Sequence, residues 1–209
     1  DSYGPAFGNS TPEGVPTTKL FSNLLDGGLA MGADCTALTG DIIHFPSRAA
    51  LEIVESGIRR LDSPYVYTLG NHDWHYPHLQ WNDTTRQEYY PRFYPFTRDN
   101  PACQVVEVGG VRLVALDNST YQVTNEQVHF LRQQLASGQP CLLFIHIPLS
   151  LASLAPAVME RWNAPIMMGA EKGWNEENRR TWRTGGPLES TRSCCELIAG
   201  SEAGNLAAV

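Results

Sequence analysis

At 209 residues the chain has the length of one ordinary domain, and with 42% hydrophobic residues it can bury a substantial core. A formal net charge of -7 argues against broad nucleic-acid or membrane-surface binding, which calls for a basic face. No apolar run in the sequence approaches the roughly 20 residues needed to span a bilayer.

The chain alternates between helical and extended patterns. Residues 17–31 place Leu20, Phe21, Leu24 and Leu25 on one helical face behind threonine caps. Residues 35–39 read as a short buried strand ending at Gly40-Asp41. Ser47 caps a second helix carrying Leu51, Val54, Ile58 and Leu61. Residues 64–69 form another strand, ending at Gly70-Asn71. An aromatic loop follows, with Tyr89, Tyr90, Phe93, Tyr94 and Phe96. Residues 103–108 and 111–116 flank Gly109-Gly110, a two-residue hairpin signal. Thr124 with Gln127 makes a capping box for a helix using Val128, Leu131 and Leu135, which Gly138 stops. Residues 141–145 read as a buried strand ending at His146. A helix near 150–162, a polar stretch with Trp174 and Trp182, a helix near 190–200 and the start of a strand at 205–209 complete the pattern. The expected fold class is α/β with a mixed sheet.

Three expected strands end at polar clusters: Asp41, then Asn71-His72-Asp73, then His146. In open α/β folds, sites gather at the carboxyl ends of strands. A carboxylate at Asp41 can bridge two cations, although Gly-Asp alone is also an ordinary turn. Asn71 offers a neutral hard oxygen, and His72 an imidazole able to donate a proton near neutral pH. Asp73 can accept a hydrogen bond from His72 and hold its tautomer. The tetrapeptide Gly70-Asn71-His72-Asp73 should arise by chance in well under about one chain in a hundred of this length. His146 alone reads as a packed histidine, but beside the other strand ends it reads as a neutral ligand.

The five cysteines, Cys35, Cys103, Cys141, Cys194 and Cys195, lack the spacing of a zinc site or a disulfide scaffold. The first three sit in apolar runs and read as buried thiols. Glycosylation sequons at Asn9, Asn82 and Asn118 are short patterns that fix no compartment.

Gly40-Asp41, Gly70-Asn71-His72-Asp73 and His146, in that order and on strand ends, resemble the middle three motifs of the calcineurin-like metallophosphoesterase superfamily. The resemblance spans roughly residues 30–150. It implies a two-sheet sandwich flanked by helices and a centre of two divalent metal ions that activate water against a small phosphate ester. By that resemblance Asp41 bridges the metals, Asn71 and His146 bind the second, His72 stabilises or protonates the phosphoryl group, and Asp73 orients His72. The family's flanking motifs are not intact. No Gly-His pair occurs, so Gly-His-x-His is absent, and Asp1-Ser2-Tyr3 stands where Asp-x-His is usual. Asp1 is a candidate ligand on that basis. His44, three residues after Asp41, is another, because related purple acid phosphatases carry a tyrosine ligand at that spacing. The expectation is one such domain over 1–209, trimmed at both ends and short of ligands as written. A non-catalytic binding scaffold is the rival reading. A serine or cysteine hydrolase is disfavoured by the absence of a Gly-x-Ser-x-Gly elbow, and no P-loop is present.

Overall fold

The computed structural model describes residues 13–200 and 204–209. Helix α1 (Thr17–Ala30) precedes strand β1 (Thr36–Leu38), helix α2 (Arg48–Ile58) and strand β2 (Tyr65–Tyr67). A helical stretch follows: α3 (Asn71–Trp74), α4 (Asp83–Tyr89), a 3-10 turn (Tyr90–Arg92) and α5 (Tyr94–Thr97). Strands β3 (Cys103–Val108) and β4 (Val111–Leu116) form the hairpin, then come α6 (Asn125–Leu135) and β5 (Cys141–Phe144). Helices α7 (Ala155–Trp162), α8 (Glu176–Thr181) and α9 (Glu189–Ala199) lead to β6 (Leu206–Ala208).

Among the described residues there are two sheets. β1 and β2 pair in parallel; β3-β4-β5-β6 form the other, antiparallel across the hairpin and parallel thereafter. The side-chain period of two sorts each strand into two layers. In β4, Val114 and Leu116 turn toward Leu131 and Leu135 of α6 and Cys194 and Leu197 of α9. Leu113 and Ala115 turn the other way, onto Val66 of β2. In β2, Tyr67 faces the far side, with Val54 and Ile58 of α2 and Phe96 of α5. The order is therefore helix, sheet, sheet, helix: the pattern led one to expect α/β, and the sandwich flanked by helices is what the resemblance implies. Polar side chains join the sheets: Thr68 Oγ1 donates to the Leu116 carbonyl at 2.9 Å, and Gln104 Nε2 donates to the Tyr67 carbonyl.

The local signals hold with small shifts. Gly109 and Gly110 both take positive φ, 57° and 79°, as a tight hairpin turn requires. The Thr124–Gln127 capping box forms, and Ser47 accepts from the Ala50 amide. Other readings need correction. Pro16, not a threonine, is the N-cap of α1, and of its expected apolar face only Leu25 is buried. Leu20 and Leu24 are exposed because α1 rests on α2 along a narrow strip. Phe21 and Leu25 lie close over Gly57 there, where a Cβ would meet them at 2.5 and 2.8 Å. Leu61 lies beyond α2. The aromatic stretch 89–96 is partly core: Phe93 and Phe96 are buried against Tyr67, Leu69 and Trp74. Of the three thiols read as buried, Cys141 is so, whereas Cys35 and Cys103 are half-buried; all five cysteines are free. Among the described residues no helix is long and apolar enough to cross a membrane.

Candidate metal centre

The loop after β1 carries Asp41, the loop after β2 carries Asn71-His72-Asp73, and the chain after β5 carries His146. Their side chains converge. His146 Nε2 lies 3.2 Å from Asn71 Oδ1 and 3.4 Å from Asp41 Oδ2. Asp41 and Asn71 come from the two-stranded sheet, and His146 from the four-stranded one.

This convergence depends on close backbone approach. A Cβ at Gly70 would fall 2.2 Å from both the amide nitrogen and Oδ1 of Asp41. One at Gly40 (φ 91°) would lie 2.6 Å from Gly70 N and from His146 Nδ1. Asp41 itself adopts φ 52°, a left-handed conformation costly for a residue with a Cβ. That strain is held in place by Asp73. Its Oδ2 accepts from the Asp41 amide at 3.0 Å and the Gly70 amide at 2.7 Å, and its Oδ1 accepts from the Ile43 amide at 3.0 Å. The Tyr67 hydroxyl donates to Oδ1 at 3.4 Å. Asp73 is fully buried; burial raises its pKa to about 7, against the pull of the Gly70 and Ile43 amides.

The expected contact between Asp73 and the His72 ring is thus replaced. Both carboxylate oxygens are taken by backbone amides of the two loops, so Asp73 fixes the loops, not the imidazole. His72 is held differently. Its amide donates to Asp41 Oδ1 at 2.9 Å, which leaves Asp41 Oδ2 for His146. The exposed His72 ring stacks on His44, with centroids 4.8 Å apart. His44 also packs on Phe45, so it stands beside His72 and not with the three converging donors. Asp1 lies outside the described residues.

The donor set can be tested for a cation on its own chemistry. His146 Nδ1 is 3.0 Å from the Thr39 carbonyl oxygen, which can only accept, so Nδ1 carries the hydrogen. The Nε2 lone pair then faces two oxygens, with no hydrogen between them. Such a set is satisfied either by a proton on Nε2 or by a cation among the three atoms. Two ligands of one ion at about 2.1 Å, set roughly 90–110° apart, lie about 3.0–3.4 Å from each other, as His146 Nε2 does from each of the two oxygens. Without a cation the proton prevails. Burial lowers the His146 pKa, but Asp41 outweighs it and the net shift is upward. Burial likewise raises Asp41, yet the hydrogen bond and charge of His146 bring it below the usual carboxylate range. The fit extends to one ion. Among the described residues no three His, Cys, Asp or Glu side chains are gathered closely enough to hold a metal, so the third donor is the Asn71 carboxamide.

Asn118, which opens one of the sequons, has a part in aiming His146 that its sequence neighbours do not announce. Its buried Oδ1 accepts from the His146 and Ile147 amides at 3.0 and 2.9 Å, and its Nδ2 donates to the Ile147 carbonyl at 2.7 Å. It sets the turn that aims His146, and its burial closes it to glycosylation in the folded chain. Asn118→Ala leaves two buried amides and one carbonyl without partners, so we expect a stability loss of about 2–3 kcal/mol, read by urea denaturation. Next to it, buried Arg86 sits 3.3 Å from Asp117, whose Oδ2 also accepts from the Tyr90 hydroxyl at 2.8 Å.

Of the three donors, Asn71 lines a cavity of about 280 Å³, together with His72, Trp81, Tyr121, Trp182 and Arg183, among others. The Trp-bearing polar stretch supplies Trp182 to the cavity wall, whereas Phe93 and Phe96 of the aromatic loop serve packing.

No protein-family model matches the chain. No curated protein matches it either. Among solved structures, a dimetal phosphatase from Danio rerio aligns over 79% of this chain and 67% of its own length, at 15% identity and a TM-score of 0.49.

Proposed function

We propose that the chain is a metal-dependent hydrolase of phosphate esters, of the calcineurin-like kind that its motifs resemble. The observation that carries this reading is the meeting of Asp41, Asn71 and His146 from three separate loops, with Nε2 of His146 facing two oxygens. Asp41, Asn71 and His146 would hold the ion. A bound divalent ion would supply Lewis-acid charge and a water of lowered pKa. The chain's own residues do the rest. The Thr39 carbonyl fixes the His146 tautomer, Asp73 locks the two glycine loops, and the His72 amide turns Asp41. The His72 ring, exposed on the cavity wall, is placed to donate a proton or a hydrogen bond to a bound ester.

A second reading has one observation in its favour. With one carboxylate, one imidazole and one amide, the described donor set is sparse for tight dinuclear binding. A fold kept as a binding scaffold fits that sparseness, but it leaves the strained Asp41 and its convergence with Asn71 and His146 without a purpose.

Titration of Mn²⁺ and Zn²⁺ by calorimetry, followed by hydrolysis of a nitrophenyl phosphate ester, separates the two. The hydrolase reading expects metal uptake that His146→Ala abolishes. It also expects weaker uptake at pH 6 than at pH 8, because the raised pKa of His146 puts a proton on the atom the cation needs. Uptake unchanged in His146→Ala would leave the scaffold reading standing.

A further inference from the structure

The segment after α8 brings a cation to the cavity mouth. Arg183 lines the same cavity as Asn71 and His72. Its Nη1 lies 2.9 Å from His75 Nε2, and its guanidinium carbon lies 6.0 Å from the centre of the Trp81 ring. The contact with His75 is not a settled pairing. The same Nε2 sits 3.2 Å from the Leu79 carbonyl oxygen. If Nε2 carries a hydrogen to that carbonyl, it has no lone pair for the arginine. If it gives its lone pair to the arginine, the carbonyl loses its donor.

Arg48, Arg59, Arg60, Arg86 and Arg192 each face a carboxylate. Arg183, like Arg92, Arg98, Arg112 and Arg179, has no carboxylate at ion-pair distance among the described residues; its place on the cavity wall sets it apart. Arg183 brings positive charge to a mouth whose lining residues His44 and Tyr121 also feel the Asp41 carboxylate. Burial, and then the charges of Arg183, His72 and His78, hold His75 below the ordinary histidine range. A guanidinium with no carboxylate partner, in a cavity that Asn71 and His72 also line, is suited to an anion. The planar guanidinium suits a phosphoryl group, whose oxygens it meets two at a time.

We infer that Arg183 seats the phosphoryl oxygens of the substrate and selects phosphate monoesters over diesters. This rests on the hydrolase reading above. The selection follows from charge: near pH 8 a monoester carries about two negative charges and a diester about one. Loss of the arginine therefore costs the monoester more.

The test uses inorganic phosphate as the dianion and dimethyl phosphate as the monoanion. Each is titrated at pH 8, with and without Mn²⁺, into the chain and its Arg183→Ala and Arg183→Lys variants. Trp81 and Trp182 line the cavity, so tryptophan fluorescence reads binding whether or not turnover occurs. Arg183→Ala should weaken phosphate by about tenfold or more and dimethyl phosphate by less than about threefold. Arg183→Lys should keep phosphate within about threefold of the parent. Because Arg183 is exposed, melting temperatures should coincide. Phosphate affinity unchanged in Arg183→Ala, equal loss for both anions, or no phosphate binding by the parent chain overturns the inference. Phosphate binding that depends on Arg183 without any Mn²⁺ uptake supports the seat while removing the hydrolase reading beneath it. Mn²⁺ uptake and hydrolysis that ignore Arg183→Ala do the reverse.

Discussion

Replacing Gly70 by alanine is expected to damage both fold and donor set more than any other single methyl group. The new Cβ would sit 2.2 Å from the Asp41 backbone nitrogen and from its Oδ1. The first of these is backbone and cannot swing aside. Relief requires the loop after β1 to part from the loop after β2. Overpacking against yielding side chains costs about 1–3 kcal/mol, so an obstruction by backbone belongs at or above the top of that range. We expect a loss of about 3 kcal/mol in denaturant unfolding and no measurable Mn²⁺ uptake by the folded fraction. Gly109→Ala is the control. Gly109 also takes a positive φ, but its added Cβ would meet nothing within 4 Å. A strained but uncrowded alanine costs only about 1 kcal/mol and leaves metal uptake alone. If Gly70→Ala binds Mn²⁺ as the parent does, the loop junction is not the support of the donor set.

Asp73→Ala should be nearly as damaging, for a different reason. Three backbone amides, of Asp41, Ile43 and Gly70, lose their acceptor inside a dry region. At about 1–3 kcal/mol for each stranded donor, with partial relaxation, the loss is about 3–5 kcal/mol. Against a total stability of about 5–15 kcal/mol, that leaves the domain marginal. Asp73→Asn is the more informative variant. Its amide group must turn toward either the Gly70 and Asp41 donors or the Ile43 and Tyr67 donors, so one pair meets another donor in place of an acceptor. It should therefore also fall by several kcal/mol, as measured by thermal and urea unfolding. Were Asp73 only to orient His72, the same variant would keep its stability and change the pH profile of hydrolysis instead.

The strand ends were readable because each combines an apolar run with an abrupt polar stop, and that pattern is local. Gly109-Gly110 and Thr124 with Gln127 are local signals too, and their geometry followed. The three converging residues could be named for the same reason, although only the folded chain shows that they meet. What escaped the sequence is what depends on partners far along the chain. The Asn118 carboxamide serves amides 28 and 29 positions later, and nothing near it in sequence announces this. Asp73 looked like a partner for its neighbour His72, whereas its amides include those of Asp41 and Ile43, more than 29 positions earlier. The apolar face of α1 was misjudged because periodicity reports which residues could be buried, not how much of a helix its neighbour covers. Arg183 sits in a polar stretch with no periodic signal. Its significance arises from its place on the wall of the cavity that Asn71 and His72 also line.

The donor set draws on both halves of the sandwich, with Asp41 and Asn71 on one sheet and His146 on the other. An ion held there would act as a rivet between layers that are otherwise joined by side-chain packing and a few hydrogen bonds. Its departure would then require the layers to separate slightly, so the rate of ion loss becomes a gauge of how often the interior breathes. Occupancy and unfolding rate should accordingly be tied: a saturating cation slows the opening of the whole interior, not merely that of the loops that touch it.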